Sequence, residues 1–320
     1  MAKKDPKANT VDEKAEETPQ DEAALVPREQ QSRYLQLFTT AQEHCVEQLN
    51  TLMTKANDEE QVGLQRLLKS ANPVVRGREE MAQNWNIPTI RVVYGTTKDP
   101  SKPASAKVGD MYATNGRLIK PPFKFTPLYI YESNRMFQEG QNAPLCWSPD
   151  AKLGTMFGWC NKCTHQPLGK NASGERTDCN NGICMIAMSE AWQLYRLEFF
   201  KTSRKAGTSV DRLVQSQSFL WERWFEMHTQ QVSSGGYEYF VFKTAPQGDD
   251  VPDVQVKACD VLYNLIKTER DAFLETHYEK ALSADDETQS TAVDESVDAA
   301  AMGVSPDVDT NPSDLAGGDL

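Results

Sequence analysis

The strongest constraint on this chain is a cluster of cysteines in its middle. Five of the seven cysteines lie within 39 residues, from Cys146 to Cys184, in sequence rich in glycine, asparagine and lysine that is not typical of a buried core. Cys160 and Cys163 are separated by two residues, so both thiolates can face one tetrahedral ion. Fifteen residues then lead to Cys179, a length that allows the chain to return and close the site. This spacing predicts a metal site, and zinc is the expected ion.

Other roles for these cysteines are less well supported. Four thiolates can hold an iron–sulfur cluster, but irregular spacing and a single closely spaced pair disfavour a redox role. Disulfides need an oxidising compartment, whereas the N-terminal sequence MAKKDPKANT carries no apolar signal segment and the number of cysteines is odd. Because zinc takes four ligands, one of the five cysteines is expected to be a small buried residue.

Spacing alone leaves the fourth ligand open. The closely spaced pair and Cys179 are the first candidates, and either Cys146 or Cys184 completes the set. His165 follows the pair and could replace a thiolate, although an exposed loop histidine is the simpler interpretation. No carboxylate is placed as a proton carrier and the thiolates are more than sufficient, so a closed structural site is predicted rather than a catalytic one.

Both ends of the chain are predicted to be disordered. Residues 1–27 are rich in Lys, Glu, Asp, Ala and Pro, and residues 283–320 contain ten acids and no Lys or Arg. Neither segment has enough apolar surface to offset the entropy of ordering. The tail carries −10 and residues 1–28 carry −2 of the net charge of −12, so the core is neutral and nucleic acid is not excluded as a partner. No apolar run is long enough to cross a bilayer, and a cytoplasmic location is expected.

Between the ends, hydrophobic periodicity predicts a core of helices and strands. Apolar residues at steps of three and four indicate helices, and short segments of alternating polarity with many β-branched or aromatic residues indicate antiparallel strands. In chain order the predicted elements are a helical segment over 28–71, strands over 89–95, 110–119, 123–133 and within 185–201, a helix from about Ser209 to Gln230, a strand over 237–245 and a final helix over 251–282. This order predicts an α+β fold in which a zinc-bearing insertion interrupts a small β-barrel.

Basic residues cluster in two parts of this core, and aromatic residues lie among them. Cations that follow a phosphate backbone, beside flat rings on which unpaired bases stack, suit a protein that holds single-stranded nucleic acid without reading its sequence. The alternative interpretation is an ordinary solvated face with aromatic residues that fill the barrel. The residues expected to contact phosphates are Arg117, Lys120, Lys124, Lys201, Arg204 and Lys205, and those expected to stack on bases are Tyr112, Phe125 and Tyr195.

Several short motifs carry a resemblance to a known group of proteins. They are the string PLCWSPD from Pro144 to Asp150, the Cys160-x2-Cys163 pair, the string Phe200-Lys201-Thr202-Ser203, and Gly109-Asp110 before a strand. With these motifs, residues 85–245 resemble phage-encoded single-stranded-DNA-binding-type proteins with a zinc-bearing insertion.

The resemblance implies an OB-like antiparallel β-barrel with a zinc-ribbon-like insertion, a structural zinc, a location in the host cell cytoplasm, and a role in replication, recombination or repair. It implies that Cys146 is a ligand, together with Cys160, Cys163 and one of Cys179 or Cys184. The chain departs from the group by carrying both of the last two cysteines and by its long helical N-terminal segment. The expected organisation is a helical segment over 28–72, an OB-like core over 73–282 with the insertion at about 144–186 and C-terminal helices, and the tail over 283–320.

Three functions remain as hypotheses. The first is a non-enzymatic single-stranded DNA-binding protein, whose acidic tail occupies the cationic groove, docks onto replication or recombination proteins, or only aids solubility. The second is a zinc-stabilised protein-interaction adaptor in transcription or replication without direct nucleic-acid binding. The third is a nuclease that uses Asp150, Glu175 or Asp178, but no spacing resembles a catalytic set, so the chain is not expected to be an enzyme.

Overall fold

The computed structural model describes residues 28–71, 87–137, 144–165, 179–215, 220–234 and 237–290. The disorder predicted for residues 1–27 and for residues 291–320 of the tail therefore lies outside the described residues. None of the described helices has the length and apolar character needed to cross a lipid bilayer.

The described residues form an α+β fold, as predicted. The helices are α1 (Arg28–Met53), α2 (Asp58–Ala71), α3 (Arg204–Gln215) and α4 (Asp253–Ser290). The strands are β1 (Thr89–Val92), β2 (Met111–Ala113), β3 (Leu118–Ile119), β4 (Phe123–Phe137), β5 (Pro144–Ser148), β6 (Leu153–Gly154), β7 (Gly158–Trp159), β8 (Cys179–Ser189), β9 (Leu194–Phe200), β10 (Arg223–Ser234) and β11 (Tyr237–Asp250).

Nine of the strands form one curled sheet with the shape of half a barrel. Its order is β11-β10-β4-β8-β9-β1-β2-β3, with β5 paired to β4, while β6 and β7 form a separate hairpin. Two hydrogen bonds hold the β10–β11 end of the sheet against the loop between β1 and β2. Tyr94 Oη donates to the carbonyl oxygen of Phe240 at 3.1 Å, and Thr229 Oγ1 donates to that of Gly109 at 2.7 Å.

The alternation of side chains along β8 and β9 produces two apolar cores, one on each face of the sheet. Met185 and Leu197 belong to the core inside the curl, together with residues of α3. Ile186 and Leu194 belong to the core on the outer face, where α1, α2 and α4 pack. The sheet is therefore covered by helices on its outer face, as expected for an α+β layer architecture.

The predicted N-terminal helical segment is a helical hairpin. The backbone N–H of Glu60 donates to Asn57 Oδ1 at 2.9 Å and the N–H of Asn57 donates to Glu60 Oε2 at 2.9 Å, so α2 begins with a reciprocal cap. Leu49 and Leu64 are fully buried against α4. Cys45 lies in the same core, where burial raises its pKa to about 12 and leaves it a packing residue.

Two predicted boundaries are wrong. The helix expected from about Ser209 to Gln230 ends at Gln215, and β10 begins at Arg223. Trp224, Phe225 and Met227 are buried by a strand rather than by a helix, because aromatic residues pack well on both kinds of element. At the C-terminal end, α4 continues to Ser290, eight residues into the segment that was predicted to be disordered.

Candidate metal centre and nucleic-acid interface

Two of the clustered cysteines lie on one face of the sheet, on either side of β4. Met136 of β4 pairs with Cys146 of β5 on one side and with Cys179 of β8 on the other. Residues that pair directly in a sheet project to the same face. Strand pairing therefore brings together two thiols that are 33 positions apart in the sequence.

The β6–β7 hairpin brings the closely spaced cysteines to the same place. It is pinned to β5 by the N–H of Thr155, which donates to the carbonyl oxygen of Trp147 at 2.9 Å. Gly154 lies against the sulfurs, since a side-chain carbon at this position would be 2.8 Å from Sγ of Cys146 and 4.0 Å from Sγ of Cys160. Only glycine permits so close an approach of the backbone to the two thiols.

Four cysteines line one small pocket of about 20 Å³, and His165 lies beside them. They are Cys146, Cys160, Cys163 and Cys179. The backbone N–H of His165 donates to Sγ of Cys163 at 3.3 Å. Burial raises the pKa of Cys179 to about 12, and the charges of the three neighbouring thiols add to this increase. In the part of the chain that the structure describes, no group of three or more His, Cys, Asp or Glu side chains is arranged to hold a metal ion as it stands.

Cys184 lies apart from this pocket, which corrects its inclusion among the candidate ligands. It is fully buried in β8, opposite Tyr131 of β4 and Glu198 of β9. Burial raises its pKa to about 12. Cys179 and Cys184 are five positions apart in one strand, so their side chains point to opposite faces of the sheet. From the sequence alone, the two-residue period of a strand could have excluded Cys184 as a ligand alongside Cys179. The spacing typical of metal ligands could not.

A largely buried ion pair lies next to Cys184. Arg135 of β4 donates two hydrogen bonds to Glu198 of β9, at 2.8 and 2.6 Å, and its guanidinium lies 4.6 Å from the ring centroid of Phe200. Burial alone would raise the pKa of Glu198, but the hydrogen bonds and charge of Arg135 hold that pKa below its usual value. The pair joins the two strands on either side of β8. Glu198 also lines a cleft at the end of β1.

The residues predicted to stack on bases are buried, which is a second correction. Tyr112, Phe125 and Tyr195 are 1%, 0% and 3% exposed. The ring of Phe125 packs 5.8 Å from that of Phe225, and Tyr112 Oη donates to Asp99 Oδ2 at 2.9 Å. These rings cannot reach bases because they fill the core or are covered by a loop. Successive residues of a strand point to opposite faces of the sheet, and the sequence alone did not show which face is exposed to solvent.

Three of the predicted phosphate contacts share one cleft of about 460 Å³, near the β8–β9 turn. Arg117 and Lys120 are exposed there. Lys124 is half-buried and lies 3.2 Å from Glu190 and 3.5 Å from Asp249, so its charge is largely compensated. This cleft therefore presents fewer available cations than the sequence suggested.

The other three predicted phosphate contacts lie at the start of α3. Arg204 is bound to the side chains of Asn181 at 2.8 Å and Glu132 at 3.4 Å. Lys205 is exposed. Lys201 is exposed as well and has a φ of 50°, a left-handed conformation that is uncommon for a residue with a side chain. Lys201 alone of these three lines the cleft at the end of β1.

That cleft, here called the basic cleft, lies between the end of β1, the following loop and the start of α3. Its volume is about 580 Å³, and the residues that define it here are Arg91, Tyr94, Lys98, Phe200 and Lys201. Tyr94 contributes an aromatic ring to this cleft and is 41% exposed. Sequence reasoning missed Arg91, Tyr94 and Lys98 as site residues. Lys98 and Tyr94 lie in one of the two parts of the sequence where basic and aromatic residues cluster, and that clustering was their signal.

Within the basic cleft the acids are already paired. Asp99 accepts hydrogen bonds from Arg91, Tyr112 and Ser101, and these outweigh the effect of burial and lower its pKa to about 2. Glu198, at the other side, is bound by Arg135. Among the described residues, Lys98 and Lys201 make no ion pair. The cleft thus offers two ammonium groups without an ion pair beside the exposed ring of Tyr94.

Comparison with protein families, with curated proteins and with solved structures found no match for this chain.

Of the carboxylates considered for nuclease chemistry, Glu175 and Asp178 lie outside the described residues. Asp150 accepts hydrogen bonds from Tyr278 and from the backbone N–H of Lys152. Its oxygens are occupied by structural contacts.

Proposed function

We propose that this chain is a non-enzymatic single-stranded DNA-binding protein that acts in replication, recombination or repair, on an OB-like barrel braced by a structural zinc. The observation that carries the proposal is the basic cleft. Lys98 and Lys201 have no acidic partner there among the described residues, and the exposed ring of Tyr94 lies in the same open cleft. Such a surface suits the phosphates and unpaired bases of a single strand.

The energetics favour a flexible anionic strand in this cleft. Each phosphate that a lysine or arginine neutralises releases condensed counterions, which stabilises the complex without reading sequence. The first residues of α3 add to this effect, because the positive end of the helix dipole lies there and its first turn contains no acid. A base stacked on Tyr94 would add roughly 1 to 3 kcal/mol.

The proposed zinc ligands are Cys146, Cys160, Cys163 and Cys179. Their convergence on one pocket, the close approach of Gly154 and the hydrogen bond from His165 N–H to Cys163 Sγ support this set. Thiolates are the ligating form, and a divalent cation reverses the rise in pKa that burial imposes on them. Zinc bound there would contribute folding energy by fixing the β6–β7 hairpin to the sheet.

The test is a pair of substitutions in the basic cleft, Lys98→Ala with Lys201→Ala. Because a hydrogen bond to a charged group contributes roughly 1.5 to 3 kcal/mol, we expect each lost lysine to weaken oligo-dT binding by about 10-fold. Fluorescence anisotropy with a labelled oligonucleotide measures this change. Lys267→Ala, an exposed lysine of α4 outside the cleft, is the matched control and should bind like the unaltered chain.

Two results would contradict the proposal. If the double variant binds as tightly as the control, the basic cleft is not the site. If the unaltered chain binds neither single-stranded DNA nor RNA but purifies with a protein, the adaptor function replaces DNA binding.

The acidic tail is proposed to recruit replication or recombination proteins, and co-purification with and without residues 283–320 tests that role.

A further inference from the structure

The β6–β7 hairpin exposes three large apolar side chains within four residues. Met156 is 57% exposed, Phe157 is 37% exposed and Trp159 is 41% exposed. Gly158, between the two aromatic residues, has a left-handed φ of 64° that closes the turn. Single exposed apolar residues are common, but a group of this size on one short turn usually marks a binding surface.

Contacts with α4 and with His165 hold the hairpin in place, so these side chains are exposed on an anchored turn. Leu153 is fully buried, and its carbonyl oxygen is 2.9 Å from Nε2 of His277 on α4. The ring of Trp159 is stacked at 6.3 Å on that of Tyr278. The ring of Phe157 lies 4.9 Å from that of His165. A surface fixed in this way loses little entropy when a ligand binds.

Cations flank the exposed rings. Lys152 and Lys162 are exposed on either side of the hairpin, and neither makes an ion pair among the described residues. The acid nearest in sequence, Asp150, is occupied by Tyr278 and by backbone N–H groups. The charge of Lys152 interacts with that of Asp150, whereas no charged partner of Lys162 is found among the described residues. The hairpin therefore combines exposed apolar rings with two lysines that make no ion pair there.

We propose that the β6–β7 hairpin is a second contact for single-stranded nucleic acid, separate from the basic cleft. Unpaired bases stack on Trp159 and Phe157, and phosphates pair with Lys152 and Lys162. This inference rests on the proposed function and gives the cysteine-rich insertion a direct part in binding. The charge decides in favour of a nucleic acid over an apolar protein segment, because exposed lysines beside the rings complement phosphates.

The experiment compares full-length variants by anisotropy with oligo-dT at several salt concentrations. Trp159→Ala and Phe157→Ala should each weaken binding by about 10-fold without changing the salt slope, because stacking releases few ions. Lys162→Ala should weaken binding and reduce the salt slope by about one. Trp159→Tyr keeps an aromatic ring and should bind nearly as well as the unaltered chain. Metal content and melting temperature show whether each variant retains its fold.

The outcomes separate this inference from the proposed function. If the unaltered chain does not bind single-stranded DNA, the proposed function fails. If the chain binds and the basic-cleft variant is weakened, but Trp159→Ala and Phe157→Ala bind normally, only the hairpin inference is overturned. A change in oligomeric state or partner capture with unchanged DNA affinity also overturns it and identifies a protein interface. If Trp159→Ala disturbs α4, Lys162→Ala and Phe157→Ala decide, and the metal content of Phe157→Ala shows whether the four-cysteine pocket lined by its ring is intact.

Discussion

Cys160→Ser is expected to abolish zinc binding at the proposed four-cysteine centre and to destabilise the chain strongly. The unaltered protein should contain one zinc per chain, and the variant should contain much less than one. Structural zinc sites contribute roughly 10 kcal/mol or more in zinc-finger peptides, so the loss of even a third of that energy should lower the melting temperature by about 10 °C. Elemental analysis by mass spectrometry and thermal unfolding measure the two effects.

Cys184→Ala is the matched control for this experiment. Cys184 lies in the same strand as Cys179 but on its opposite face, so the variant should keep one zinc per chain and lose only packing energy. An unaltered protein free of tightly bound metal would contradict the proposed centre. A result in which both variants lose zinc equally would contradict the set of ligands.

Glu198→Gln is expected to destabilise the fold by about 3 to 5 kcal/mol at neutral pH, because it leaves Arg135 as an unpaired charge in a largely buried position. The side chains of Arg135 and Glu198 are only 23% and 15% exposed, so solvent screens their interaction little. The folded pKa of Glu198 is below its unfolded value, so its contribution is present at neutral pH and is lost as pH falls through the folded pKa. Urea unfolding at several pH values measures this difference.

A double variant, Arg135→Met with Glu198→Leu, serves as the control. Replacing both partners removes the unpaired charge, so much of the lost stability should return. If the free energy of unfolding of Glu198→Gln is within about 1 kcal/mol of that of the unaltered chain, the ion pair does not stabilise the fold as proposed.

Much of the fold was predictable because long amphipathic segments carry a clear period. The N-terminal helical segment, the final helix and most central strands were predicted from alternation and from steps of three and four residues. The prediction failed after α3, where Trp221, Trp224 and Phe225 are compatible with a helix or a strand. Only pairing with β4 and β11 determines the strand there, and a single local sequence does not contain that information.

The candidate site was predictable in its chemistry and less so in its geometry. Spacing identified the cysteine cluster, but it could not show that Cys146 reaches Cys179 through Met136 of β4. Local composition identified aromatic and basic residues together, but it could not separate the buried Tyr112 from the exposed Tyr94. Burial depends on contacts that are distant in sequence, and those contacts exist only in the folded sheet.

The most direct test of the central proposal is the salt dependence of oligo-dT binding by the full-length chain, measured by anisotropy between about 50 and about 200 mM salt. Contacts from Lys98 and Lys201 predict a slope of about −1.4 in the logarithm of affinity against the logarithm of salt concentration, or steeper if the hairpin also binds. Binding to duplex DNA of equal length should be weaker. An affinity that does not change with salt, or no affinity for the single strand, would contradict the proposal that the basic cleft holds unpaired nucleic acid.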